Sequence, residues 1–202
     1  MTIDEIMRSA PVIPVLVLEE EMDWAALAET FVAAGLPVLE VTLRTPAALD
    51  AIRHMARVAG AIVGAGTVLN EAQLAQAIDA GSRFIVSPGL TNPLALAARD
   101  TEIPFLPGVA TAADIMRGID LGLDRFKFFP AVTSGGIPAL NALSGPFGNI
   151  RFCPTGGIRP ETAAGWLALP SVLCVGGTWF VKPGDDLASI SERARAAAAL
   201  AR

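Results

Sequence analysis

The chain has 202 residues, enough for one domain with a sizeable core. With 52% apolar residues, 17% charged residues and a net charge of −5, it fits neither a disordered chain nor a basic nucleic-acid binder. The long uncharged stretch from Phe128 to Ile150 is broken by Pro130, Gly135, Gly136, Pro138, Gly145, Pro146 and Gly148, which leaves no continuous apolar run of about twenty residues to span a bilayer. The start, Met1-Thr-Ile-Asp-Glu5, lacks the basic and then apolar pattern of a signal peptide. Cys153 and Cys174 lie in apolar runs without metal-ligand spacing, as expected of reduced core residues in a cytoplasmic protein. His54 is the sole histidine, read as a solvated helix residue, so the histidine clusters of metal hydrolases are ruled out and no metal is expected.

A lead over Thr2 to Ser9, read as helical, reaches the first apolar run. Eight such runs follow, at 11–18, 37–43, 61–68, 84–89, 104–109, 125–130, 151–156 and 172–180. Their near-continuous Val, Ile, Leu and Phe content suits parallel strands buried on both faces. The segments between carry helix signals. Trp24, Leu27, Ala28, Phe31 and Val32 form one stripe between an Asp23 cap and a Gly35 stop. Thr45-Pro46 and Asn92-Pro93 read as caps before first-turn prolines, and Asn70/Gln73 and Thr111/Asp114 as capping boxes. Gly81 and Gly122 close their helices, and the last helix, from Asp186, presents Leu187, Ile190 and Ala194 on one face.

This alternation predicts an α/β fold, a (β/α)8 TIM barrel with short loops forming a single domain over 1–202. A doubly wound open sheet is the competing fold and requires a glycine-rich dinucleotide turn after its first strand. Val15-Leu-Val-Leu-Glu-Glu-Glu21 offers none, and Gly64-Ala-Gly66 lacks the third glycine of that fingerprint.

Chemistry centres on Asp124-Arg-Phe-Lys-Phe-Phe-Pro130. Alternation sends Phe126 and Phe128 to one face and Arg125, Lys127 and Phe129 to the other. Lys127 is one of only two lysines, the other being Lys182. A lysine on an ordinary strand snorkels to water or pairs with an acid. The uncharged runs flanking this strand favour a buried amine, and burial disfavours the charged form and frees a nucleophile.

On the second strand Glu40, Thr42 and Arg44 share a face opposite Leu39, Val41 and Leu43. They read either as a structural Glu–Arg pair or as a proton-transferring carboxylate with an arginine for a substrate carboxylate. Gly64-Ala-Gly-Thr67 reads equally as a tight turn or as backbone left bare for a ligand. Ser87-Pro-Gly89 and Pro107-Gly108 are rigid turns at a mouth. Pro154-Thr-Gly-Gly157 and Val175-Gly-Gly-Thr178 place paired glycines after the last two strands, where a barrel holds phosphate on backbone N–H groups, with Arg159 and Lys182 as added positive charge. Together these groups describe imine chemistry on a phosphorylated keto acid without an organic cofactor.

The motifs Leu39-Glu-Val-Thr-Leu-Arg44, Val63-Gly-Ala-Gly-Thr-Val-Leu69, Ser87-Pro-Gly-Leu90, Phe126-Lys-Phe-Phe-Pro130 and Arg151-Phe-Cys-Pro-Thr-Gly-Gly-Ile158 resemble those of the 2-keto-3-deoxy-6-phosphogluconate (KDPG) aldolases, over nearly the whole chain. The resemblance implies a class I aldolase of the Entner–Doudoroff route, yielding pyruvate and glyceraldehyde 3-phosphate. It implies Lys127 as the Schiff-base residue and Glu40 as acid/base, partly through water. Arg44 and Thr67 fall at positions for the pyruvate carboxylate, and Pro88 and Phe129 at pocket walls. Thr155 falls at the position linked to C4 configuration, and Gly156, Gly157, Gly177 and Thr178 at the phosphate site. Thr178 stands where serine is common, and the match weakens after Phe180. The family implies a homotrimer and side activity on 4-hydroxy-2-oxoglutarate. Two alternatives remain: an aldolase of the galactonate epimer, and a catalytically idle barrel used as an assembly scaffold.

Overall fold

Parallel pairing dominates the architecture. The computed structural model describes residues 1–19 and 22–201, so Glu20 and Glu21 at the end of the Val15–Glu21 segment lie outside the described residues. The first four apolar runs each become a strand with its helix after it: β1 (Val12–Leu16), α2 (Trp24–Ala33), β2 (Val38–Thr42), α3 (Ala48–Met55), β3 (Ile62–Gly66), α4 (Glu71–Asp79), β4 (Ile85–Val86) and α5 (Asn92–Asp100). There follow β5 (Phe105–Leu106), β6 (Gly108–Val109), α6 (Ala112–Asp120), β7 (Arg125–Phe128), α7 (Gly136–Ser144), β8 (Arg151–Pro154), α8 (Pro160–Leu167), β9 (Val175–Gly177) and α9 (Leu187–Ala198). The lead is helix α1 (Ile3–Arg8), closed by a reciprocal capping box between Thr2 and Glu5.

The strands hydrogen-bond as two parallel sheets, one in the order β5-β4-β3-β2-β1-β9 and the other β6-β7-β8. The α/β fold with parallel strands is as expected, while the hydrogen bonding forms two sheets rather than one continuous ring. A proline is the physical cause of the break between β5 and β6, since a residue without an N–H cannot donate to a ladder. Pro107 splits the run at 104–109 into β5 and β6, and β4 is cut to two residues before Pro88. Pro107 still accepts from the Lys127 N–H at 2.9 Å. The isolated parallel bridges Phe152↔Val172 and Thr155↔Gly176 join β8 to the segment of β9, which is far shorter than the expected 172–180.

Inward and outward faces separate cleanly. Leu39, Val41, Phe126 and Phe128 pack outward under the helices, with Phe128 tilted against Trp166 at 6.4 Å between ring centroids. A smaller interior cluster holds Ile13, Val38, Phe84, Val86, Leu106 and Cys153, sealed from below by Ile6 and Met7 of α1. Asp4 ties that helix down, accepting from Arg8 and from Arg125 of β7, each at 2.6 Å. Burial opposes ionisation of Asp4, but these two hydrogen bonds and charges outweigh it and hold its carboxyl below the usual range.

Most helix signals perform as read. Asp23 caps α2, and Thr111 and Asp114 form a full capping box on α6. Asn70 accepts from the Gln73 N–H, while the Gln73 side chain reaches back to the Leu69 N–H, one residue beyond the box geometry. Two prolines misled. Helix α3 starts at Ala48 with no side-chain cap, because the Thr45 hydroxyl donates instead to the Leu18 carbonyl at 2.6 Å. The α5 cap is Thr91, not Asn92. On α9 the buried face is Ile190, Ala194 and Ala197, and Leu187 is exposed. His54 is exposed on α3, as expected, and Cys153 and Cys174 are both buried. Among the described residues no helix is long and apolar enough to cross a membrane.

Candidate active site

Strand β7 carries Lys127 into the interior because Phe126 and Phe128 on either side of it are committed to the outer core. On β2 the same logic turns Glu40 inward between Leu39 and Val41. The two strands belong to different sheets, so the side chains meet across the enclosed space. Lys127 Nζ donates to Glu40 Oε1 at 3.0 Å and lies 3.4 Å from Oε2, and the two side chains are only 6% and 4% exposed. Neither charge is left without its counterion, which a buried ion requires. Nζ also stands 5.3 Å from the centroid of the Phe129 ring, a cation–π distance. An amine so held has a base in contact and a wall against bulk water.

Above this pair, Arg44 follows β2 and extends to solvent, donating from Nε to the Thr67 hydroxyl at 3.3 Å. Thr67 has a φ of 59°, an uncommon backbone conformation for a β-branched residue, immediately past β3. Of the two readings of this face, the structural Glu40–Arg44 pair does not form: Glu40 goes to Lys127, and Arg44 is exposed and donates to Thr67. Pro88 and Phe129 line one cavity of about 360 Å³, together with Val68, Leu90, Val109 and Asp114. Burial pushes the Asp114 carboxyl up, but hydrogen bonds from the Thr111 hydroxyl and the Ala110 and Thr111 N–H groups, with the Arg117 charge, hold it below the usual range. Sequence reasoning missed this part of the cavity wall; the clustering of short loops after β3 to β6 was its only signal.

Thr155 is buried at the end of β8, its side chain packed against the bare α-carbon of Gly176, where an added Cβ would fall 2.8 Å from Thr155 Cγ2. Gly156 and Gly157 have φ values of 102° and 78°, so the chain after β8 turns in the left-handed region that glycine adopts without strain. Gly156 also packs against the Phe129 ring, linking this turn to the wall beside Lys127. Gly177 ends β9 and Thr178 is exposed just after it. The two supporting cations take different places. Arg159 is exposed at the start of α8, and Lys182 lines a different cavity with Val17 and Leu187.

A shielded amine on a carboxylate, an outward arginine and glycine turns after the last two strands suit covalent imine chemistry on an anionic keto acid. Relatives agree with that chemistry. The family model for KDPG and KHG aldolases matches residues 3–192. The 2-dehydro-3-deoxy-phosphogluconate aldolase of Zymomonas mobilis is 57% identical over 201 residues, covering 99% of this chain and 97% of that protein. The crystal structure of the Zymomonas mobilis ZM4 enzyme with 3-phosphoglycerate superposes with a TM-score of 0.96 at 57% identity, covering 99% of this chain and 96% of that one. The KDPG aldolase of Legionella pneumophila, with pyruvate captured as a covalent carbinolamine, gives a TM-score of 0.93 at 42% identity over 98% of this chain and 99% of that one. With both the buried amine–carboxylate pair and near-complete coverage in agreement, this chain belongs to the KDPG and KHG aldolase family.

Proposed function

We propose that the chain is a class I aldolase that cleaves 2-dehydro-3-deoxy-6-phosphogluconate to pyruvate and D-glyceraldehyde 3-phosphate. The observation that carries this reading is the buried Lys127–Glu40 contact at 3.0 Å. In the mechanism, Glu40 relieves Lys127 of a proton, and the free amine adds to the C2 ketone to form a carbinolamine. Glu40 returns that proton to the carbinolamine hydroxyl, which departs as water to give an iminium and leaves the carboxylate ionised again. Glu40, directly or through a water, then takes the proton of the C4 hydroxyl as the C3–C4 bond breaks, and the bonding electrons pass into the iminium to leave an enamine. The aldehyde departs, the enamine is protonated at C3, and hydrolysis releases pyruvate.

Arg44 and Thr67 hold the substrate carboxylate, Pro88 and Phe129 enclose the pyruvyl carbons, and Thr155 contacts the C4 region. The phosphate rests on the N–H groups of Gly156, Gly157 and Gly177 and on the Thr178 hydroxyl. The same site fits 4-hydroxy-2-oxoglutarate, whose aldolases share the family description. No organic cofactor enters the mechanism.

Further parts of this reading concern architecture. The two sheets act as one closed (β/α)8 barrel and a single domain, with β5 and β6 as one strand bent at Pro107 and the β8–β9 bridges as the seam. Assembly as a homotrimer would cover exposed apolar side chains such as Leu96, Met116 and Ile119, and a buried Cys153 outside any disulfide suits the cytoplasm. Borohydride reduction in saturating pyruvate should add one pyruvate-derived mass to the peptide containing Lys127, and Lys127→Met should lose both the adduct and turnover. Turnover that survives Lys127→Met would overturn the reading.

A further inference from the structure

Two glycines on β3 read from sequence as a turn or as room for a ligand, and the structure gives each a different neighbour. An added Cβ on Gly64 would meet the Phe84 ring at 2.5 Å. One on Gly66 would lie 2.6 Å from Cγ and 2.8 Å from Cδ of Glu40, and nearer still to Oε1. Neither glycine is among those with positive φ, so backbone conformation does not demand glycine at either position.

We propose that Gly66 is a positioning residue for proton transfer, its bare α-carbon serving as the surface that holds the Glu40 carboxylate against Lys127. The inference rests on the aldolase reading above. In the β2–β3 ladder Glu40 pairs with Gly64 and Thr42 with Gly66, so the Glu40 side chain leans one layer toward the mouth to reach Gly66. Its carboxylate is then held from two sides, by the Gly66 α-carbon and by Lys127 Nζ at 3.0 Å. A methyl group at 66 occupies the space of the carboxylate. What has to move is the far end of a flexible side chain, so the fold survives while the contact with the amine is lost. At Gly64 the obstacle is an aromatic ring packed in the interior cluster, and substitution there strikes the fold instead.

The test compares wild type, Gly66→Ala, Glu40→Asp and the double variant in three readouts: borohydride trapping of pyruvate, deuterium exchange into the pyruvate methyl group, and thermal midpoint. Gly66→Ala should still trap pyruvate, melt near wild type and exchange roughly 10²-fold more slowly, the scale of a displaced acid–base group. Glu40→Asp, one methylene shorter, is slow by itself but no longer reaches Gly66, so adding Gly66→Ala should cost it little more. If Gly66→Ala proves unstable, Glu40→Asp should restore its thermal midpoint by removing the clash. Wild-type exchange in Gly66→Ala, losses that multiply in full, or an unstable Gly66→Ala that Glu40→Asp does not restore would each overturn the proposal. A wild type that traps no pyruvate would overturn the aldolase reading itself, a distinguishable result.

Discussion

The two ends of the enclosed interior are built to opposite rules. Toward the carboxyl ends of the strands, inward positions hold Glu40, Lys127, Thr155 and Gly66, polar or small, with Arg44 opening to solvent. Toward the amino ends they hold Ile13, Val38, Phe84 and Leu106, and α1 presses Ile6 and Met7 over the opening. The same strands and the same alternation supply both layers. One layer of residues thus separates side chains that hold the fold from the polar side chains of the candidate site. Burial serves both: below it stabilises by removing apolar surface from water, and above it makes an ion pair depend on its partner.

Substitutions at either end should break this contrast in different observables. The largest effect belongs above. Glu40→Gln keeps the volume but removes the base, and kcat should fall by about 10²–10⁴-fold in a coupled assay of pyruvate release. At the sealed end, Met7→Ala should lower folding stability by about 2–5 kcal/mol in a denaturant titration and leave kcat near wild type. A comparable loss of kcat would mean that the two ends are not independent.

Arg44→Ala should raise KM for pyruvate-forming substrates by about 10-fold or more, with a smaller change in kcat, because a charge-assisted grip on a carboxylate acts largely on binding. The smallest effect concerns Asp4. Its folded carboxyl titrates below the unfolded one, so its contribution is complete above the unfolded value and is lost as pH falls through the folded value. The acid limb of the stability profile, below about pH 4, should therefore be shallower in Asp4→Asn, with stability near neutral pH lowered by no more than about 1 kcal/mol.

Much of this molecule is legible along the chain because local physics acts along the chain. A cap such as Asp23 or Thr111 satisfies N–H groups three residues away, so helix starts can be read from it. Thr45 reads wrongly from sequence because it finds a distant partner, and Leu187 because helical spacing alone does not fix which stripe is buried. The Thr45 hydroxyl bonds to the Leu18 carbonyl rather than capping α3, and Leu187 lies off the buried face of a helix that packs through Ile190 and Ala194. The inward direction of Lys127 followed from Phe126 and Phe128, two residues whose only favourable place is the core.

The order of strands and helices, the inward lysine and the glycine turns after the last strands follow from local sequence, since each depends on a residue and its near neighbours. Long-range packing settled that Glu40 would take Lys127, not Arg44, as its partner, that the hydrogen bonding would fall into two sheets, and that Gly66 would lie under a carboxylate. Those contacts join residues far apart in the chain, and only the packing of whole strands brings such residues within reach.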